Sequence, residues 1–264
     1  MSAGVSSQPL LSVRGLRKAF GGVLAVQGVD FDLAAGEMLA LIGPNGAGKS
    51  TTFNLINGQL RADAGSVRLR GQELCGLAPR HIWRLGVGRT FQIAETFGSL
   101  TVAENVQMAL LSRDRRLWSP WCRATHYQRA EALALLQRVG LADQAERPCA
   151  ALAYGDVKRV ELAMAVAHNP CLLLMDEPTA GMAPGERHAL MALTRGLARE
   201  AGMGVLFTEH SMDVVFGYAD RVLVLARGQT VADGAPESVR ADARVQALYL
   251  GRQAAAPRKA EDVA

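Results

Sequence analysis

The run Gly43-Pro44-Asn45-Gly46-Ala47-Gly48-Lys49-Ser50-Thr51 brings together the residue types that hold a nucleoside triphosphate. Glycines at 43, 46 and 48 let the backbone turn tightly enough for its N–H groups to converge on phosphate oxygens. Lys49 offers a compact positive charge to the β- and γ-phosphates, and the Ser50 hydroxyl suits Mg²⁺. A second chemical cluster is Asp176-Glu177-Pro178. Asp176 suits Mg²⁺ held through a water, and Glu177 suits a water about to attack the γ-phosphate. Phosphoryl transfer needs both, because its catalysis is mostly positioning and charge neutralisation. Alone, an acidic strand end is equally well a solvated turn. The phosphate loop upstream turns the balance towards hydrolysis of the triphosphate.

Both clusters need elements that hold them. The apolar stretch 38–42 reads as a buried strand running into the phosphate loop, and 51–56 as a helix whose positive end faces the phosphates. The run 171–175 reads as a central parallel strand, apolar on both faces, with the carboxylates at its carboxyl end, where open α/β sheets place ligands. Strands are also expected at 10–16 and 31–33 around a turn at Gly21-Gly22, and at 203–207 and 221–225 around a helix at 211–216. Arg227-Gly228 marks a hairpin turn. Thr101-Val102-Ala103-Glu104 is a capping box opening a helix to about residue 111. Residues 127–139 carry helical periodicity that Gly140 stops, and 156–167 form a further helix.

Composition sets limits. A chain of 264 residues, 49% hydrophobic, with alternating strand and helix signals, reads as a compact α/β protein. It lacks a run of about eighteen apolar residues, so no membrane span is expected, and no export signal is read at its start. Cys75, Cys122, Cys149 and Cys171 are scattered without a Cys-x-x-Cys pair, and read as reduced, mostly buried thiols. His81, His126, His168 and His188 have no metal-ligand spacing and read as surface or satisfied polar residues. The net charge of +4 reads as an ordinary solvated surface, and no basic stripe with stacking aromatics points to nucleic acid. The loop around Trp118 and Trp121 reads either as an interfacial docking loop or as a surface loop covering neighbouring helices.

Taken in order, these motifs resemble the ATP-binding cassette family of transporter ATPases over residues 10–251. The family's other motifs follow at its spacing. Phe20 matches an adenine-stacking aromatic; the bare reading of such a residue is core. Gln92, in Gly88-Arg89-Thr90-Phe91-Gln92, matches a glutamine that contacts Mg²⁺ and the attacking water. Leu152-Ala153-Tyr154-Gly155-Asp156 matches the signature segment, with Tyr154 and Gly155 at the nucleotide, and His210 matches the switch histidine on the γ-phosphate. Phe20-Gly21-Gly22, the Tyr154 signature and the closing Tyr249-Leu250-Gly251 look like the ATPases of branched-chain amino acid importers. The resemblance implies a P-loop NTPase (RecA-like) α/β core with an antiparallel β subdomain. It implies one ATPase domain over 8–251, a helical subdomain inserted at about 93–160, and a flexible tail at 252–264. It further implies ATP and Mg²⁺, a second ATPase subunit, two integral membrane permease subunits, a periplasmic solute-binding protein, and a place on the cytoplasmic face of the inner membrane.

Three residues depart from the family pattern. Ala153 replaces a serine and Asp156 a glutamine in the signature, and Ala183 stands where Asp or Asn is usual. Asp156 adds negative charge near a phosphate site, so the contribution to a partner's ATP site is expected to be weaker. Alternatives are a lipopolysaccharide-export ATPase, against which the Tyr154 signature argues, and a cassette protein working on DNA or ribosomes. A regulatory module that binds nucleotide without hydrolysis is a third, opposed by Glu177 and His210.

Overall fold

The computed structural model describes residues 8–90, 96–116 and 126–253. Gln92 and the Trp118–Trp121 loop therefore lie outside the described residues. Among the described residues, ten strands form two sheets. The first is antiparallel, in the order β2 (Val23–Leu33), β1 (Leu11–Phe20), β4 (Ala64–Leu69) and β5 (Gln72–Glu73). The second has six strands: β10 (Gln229–Gly234), β9 (Arg221–Ala226), β3 (Met38–Ile42), β8 (Gly204–Thr208), β7 (Leu172–Asp176) and β6 (Val87–Thr90), in that order. All of its pairings are parallel except the β9–β10 hairpin at the edge.

The parallel strands are apolar throughout because each serves two cores at once. Met38, Ala40 and Ile42 of β3 pack into a helix-rich cluster, while Leu39 and Leu41 pack into a second one against the antiparallel sheet. The same alternation divides Leu173 and Met175 from Leu172 and Leu174 in β7, and Val205 and Phe207 from Leu206 in β8. A period of two places successive side chains on opposite faces, and helices and sheet cover both.

The helix-rich cluster takes in α3 (Val102–Arg113), α4 (Arg129–Arg138), α5 (Tyr154–Val166) and α6 (Pro184–Ala201). Both bonds of the expected capping box open α3: Thr101 Oγ1 accepts from the Glu104 amide at 3.2 Å, and Glu104 accepts from the Thr101 amide at 2.8 Å. The α1 helix (Lys49–Ile56) packs in the other cluster through Phe53, Leu55 and Ile56.

The first two strands extend well past the expected 10–16 and 31–33, meeting at Gly21-Gly22, where Phe20 pairs with Val23. The hairpin at Arg227-Gly228 forms with both residues at positive φ, 49° and 78°, as a two-residue turn of matched twist requires. Among the described residues no helix is long and apolar enough to cross a membrane. Cys149 and Cys171 are buried and Cys75 half-buried, all as free thiols. His168 departs from the surface reading: it stacks on Trp83 with ring centroids 4.6 Å apart.

Candidate functional site

The phosphate loop joins the carboxyl end of β3 to the start of α1, and its neighbours impose its glycines. A Cβ on Gly43 would lie 2.1 Å from the Leu225 carbonyl oxygen, and one on Gly48 would lie 2.4 Å from that of Ala25. The loop is thus pressed between β2 and β9. Two further bonds tie it in: the Gly228 amide donates to Ala47 O at 3.0 Å, and Gln27 N donates to Gly228 O at 2.8 Å. Lys49 is buried and folds over the loop, its Nζ donating to Gly43 O at 2.8 Å and Pro44 O at 3.3 Å. That holds the ammonium against the carbonyls at the start of the loop, with Ser50 and Thr51 on the first turn of α1 at the positive end of its dipole.

Two strands away, β7 ends at Asp176, and Glu177 follows it directly. The β7–β8 register sets Asp176 directly beside Thr208. The buried Thr208 hydroxyl donates to Asp176 Oδ1 at 2.7 Å and accepts from the Glu177 amide at 2.9 Å. One side chain therefore holds the Asp176 carboxylate and the Glu177 backbone. Arg89 of β6 stands 3.8 Å from Asp176 Oδ2, held by Asn54 and Gln59. Glu177 adopts φ 49°, a left-handed conformation uncommon for a residue with a side chain and typical of functional strain. Its Oε1 lies 2.8 Å from His210 Nε2.

His210 is positioned by Glu209, which is buried. Glu209 Oε1 accepts from the Thr179 amide at 2.9 Å and the Thr179 hydroxyl at 2.6 Å, and Oε2 accepts from the His210 amide at 3.2 Å. The loop after Glu177 and the loop carrying His210 are thereby clasped together. Neither Thr208 nor Glu209 was singled out from sequence. They directly precede the expected His210, but their partners at Glu177 and Thr179 lie about thirty positions upstream.

The donor set suits Mg²⁺. The Ser50 hydroxyl and the Asp176 carboxylate offer hard oxygens of the kind Mg²⁺ takes; Thr208 donates to Oδ1 of Asp176, and Arg89 stands 3.8 Å from its Oδ2. Phe20 is 45% exposed at the β1–β2 turn beside the exposed Val23 and Leu24, so the core reading of this aromatic does not hold. Lys18 Nζ sits 5.5 Å from its ring centroid.

The signature segment opens α5. Ala153 is its N-cap and makes no side-chain cap bond, and Tyr154 is exposed. Asp156 points away along the helix, accepting from Gln144 Nε2 at 3.1 Å, with Arg159 at 3.8 Å. Its carboxylate thus serves the positive end of α5. A second acid, Glu186, crowds the same helix start: a Cβ on Gly155 would meet its carboxyl carbon at 3.1 Å. Ala183 caps α6 without a side-chain bond, while its amide donates to Glu186 at 3.2 Å.

Relatives place this arrangement. The sequence matches the ABC transporter family over residues 26–180, and a branched-chain amino acid ATP-binding cassette transporter segment over residues 229–255. It is 41% identical over 252 residues to the high-affinity branched-chain amino acid transport ATP-binding protein LivG of Escherichia coli K12, covering 93% of this chain and 99% of that protein. Identity to BraF of Pseudomonas aeruginosa, described in the same words, is 38% over 255 residues, with the same coverage. Among solved structures, the ADP conformation of MJ1267, an ATP-binding cassette of an ABC transporter, superposes with a TM-score of 0.83 at 31% identity, covering 93% of this chain and all of that one. With a phosphate loop, paired strand-end carboxylates and these relatives, the chain belongs to the ATP-binding cassette transporter family and is an ATP-hydrolysing subunit of it.

Proposed function

We propose that this subunit powers uptake of branched-chain or related amino acids through partner membrane subunits, with Glu177 as the catalytic carboxylate. The names of the 41% and 38% identical relatives support the substrate class. The contact that carries the assignment of Glu177 is the 2.8 Å approach of His210 to its carboxylate, beside Asp176 on the same strand end.

In this reading the amides from Gly43 to Thr51 and the Lys49 ammonium hold the phosphates, and Phe20 stacks on the adenine. Glu177 orients the attacking water and accepts its proton, while His210 Nε2, shared with Glu177, reads the γ-phosphate. Ser50, Asp176 and Gln92 would hold Mg²⁺, which when bound neutralises charge on the phosphate oxygens. Two ATPase subunits close head to tail, each phosphate loop meeting Tyr154 and Gly155 of the other. Closure favours one state of two membrane permease subunits only through its differential contacts with that state. A periplasmic solute-binding protein delivers the solute, and the ATPase works at the cytoplasmic membrane face. Residues 8–251 then act as one ATPase domain in which the helices between about 93 and 160 form a subdomain facing the permease.

The test is Mg-ATP turnover by the wild type and by Glu177→Gln, with nucleotide affinity measured in parallel. Glu177→Gln should retain ATP binding, lose about 10²–10⁴-fold in turnover and accumulate as an ATP-bound dimer. Turnover close to wild type would remove Glu177 from the catalytic role.

A further inference from the structure

The amino ends of β6 and β7, the sheet edge opposite the nucleotide loops, open into a cleft of about 370 Å³ lined by Arg70, Arg84, Arg113 and Arg115. Gly86 and Cys171, which immediately precede the two strands, form its floor, with Trp83 and Leu85 as apolar walls. The parallel strands run away from it towards Thr90 and Asp176, so the cleft is separated from the catalytic loops by the length of the sheet.

Among the described residues, no carboxylate lines this cleft. Arg113 is neutralised from behind by Glu131 and Asp114. Arg70, Arg84 and Arg115 have no ion pair among the described residues. Cys171 does not offset them, because burial raises its thiol pKa and keeps it neutral. A smaller hollow of about 140 Å³ continues from the cleft past Arg70, Asn169 and Cys171. Three like charges converging on one polar cavity repel one another, and an anion bound between them relieves that repulsion. Guanidinium forks match the tetrahedral oxygens of a phosphate, and the walls of Trp83 and Leu85 suit the organic part of an ester.

We infer that this cleft binds a phosphate-bearing anion, at a site separate from the ATP site. The source is either a soluble phosphomonoester or a phospholipid headgroup, and the chemistry at the arginines is the same for both.

The experiment uses the full chain with its phosphate loop saturated by Mg-ADP, so that added phosphate groups report the cleft. Glycerol phosphate is titrated by calorimetry. Vesicles of phosphatidylglycerol in phosphatidylcholine, and of phosphatidylcholine alone, are cosedimented with the protein. The comparison protein is Arg70→Asn/Arg84→Gln/Arg115→Asn. Asparagine is used at 70 and 115 because both arginines have left-handed backbone, at φ 49° and 55°, which Asn tolerates. At about fivefold per arginine, the triple variant should bind on the order of a hundredfold more weakly, with Mg-ATP turnover unchanged. Binding of glycerol phosphate without vesicles identifies a soluble ester; binding of anionic vesicles without glycerol phosphate identifies a headgroup. The inference is overturned if the wild type binds neither, or if a folded triple variant binds as well as the wild type. Should the triple variant melt early, Arg84→Gln alone, at an exposed helix end, should still weaken binding about fivefold, and no change would overturn the inference equally.

Discussion

Thr208 is a single hydroxyl with two obligations, donating to Asp176 and accepting from the Glu177 amide. Thr208→Val keeps the shape and removes both bonds, leaving a buried amide and a carboxylate oxygen without this partner. The expected cost is about 1–3 kcal/mol in denaturant unfolding, with a fall in ATP turnover, and Thr208→Ser should recover most of each. Ala183 and Ala153 show the reverse situation, helix starts lacking a capping oxygen. Ala153→Ser should supply one to α5 and stabilise the protein by about 1 kcal/mol, read as an upward shift in the melting midpoint. At this scale much of the site was legible. The phosphate loop, Asp176, Glu177 and His210 have types and spacings that chemistry dictates locally. Thr208, Glu209 and Glu186 were not legible, because a threonine on a strand or a glutamate on a loop acquires its role only from a segment brought alongside by folding.

Among the elements, what could be read ahead followed the strength of the local signal. The capping box at Thr101 and the turn at Arg227-Gly228 formed as their chemistry requires. The short strands β4 and β6 carry glycine and arginine amid few apolar residues, so alternation did not reveal them. Pro184 and the left-handed Gly202 mark the ends of the 18-residue α6, but Gly185 and Gly196 inside it weaken the helical signal between them. His168 marks where the amino end of β6 meets the turn after α5. Burial, with a smaller contribution from the nearby Arg113, holds its imidazole at about 4, well below the usual 6.5, although hydrogen bonds to backbone at Val87 and Ala165 oppose this. The sign follows: the folded state prefers the neutral ring, so its full contribution is present above pH 6.5 and is lost as pH falls towards 4, by at most about 3 kcal/mol. Carboxylates such as Glu73, which burial pushes up but hydrogen bonds from Ser66, Val67 and Cys75 hold at about 2, titrate below this window. Unfolding free energies at pH 7.5 and 5 should therefore differ for the wild type, and His168→Phe should remove most of that difference.

For the whole molecule, the signature face is the unusual one. Glu186 packs against Gly155 at the start of α5, where a partner's γ-phosphate is expected, and Asp156 adds a second acid to the same turn although its carboxylate is turned to Gln144 and Arg159. A dimer of identical chains would carry this handicap twice. Pairing with a different ATPase subunit would confine it to one composite site. Turnover measured with one site blocked at a time should be unequal in such a pair, and Glu186→Gln should raise the weaker rate several-fold; equal rates would show that the acids are inconsequential. The two-faced strands have a mechanical corollary. Since Met38, Ala40 and Ile42 meet one core while Leu39 and Leu41 meet the other, the plank that roots the phosphate loop is clamped from both sides. A load carried by the helices α3 to α5 on one face is opposed by the antiparallel sheet on the other, so the strand resists bending and the grip on the triphosphate keeps its shape.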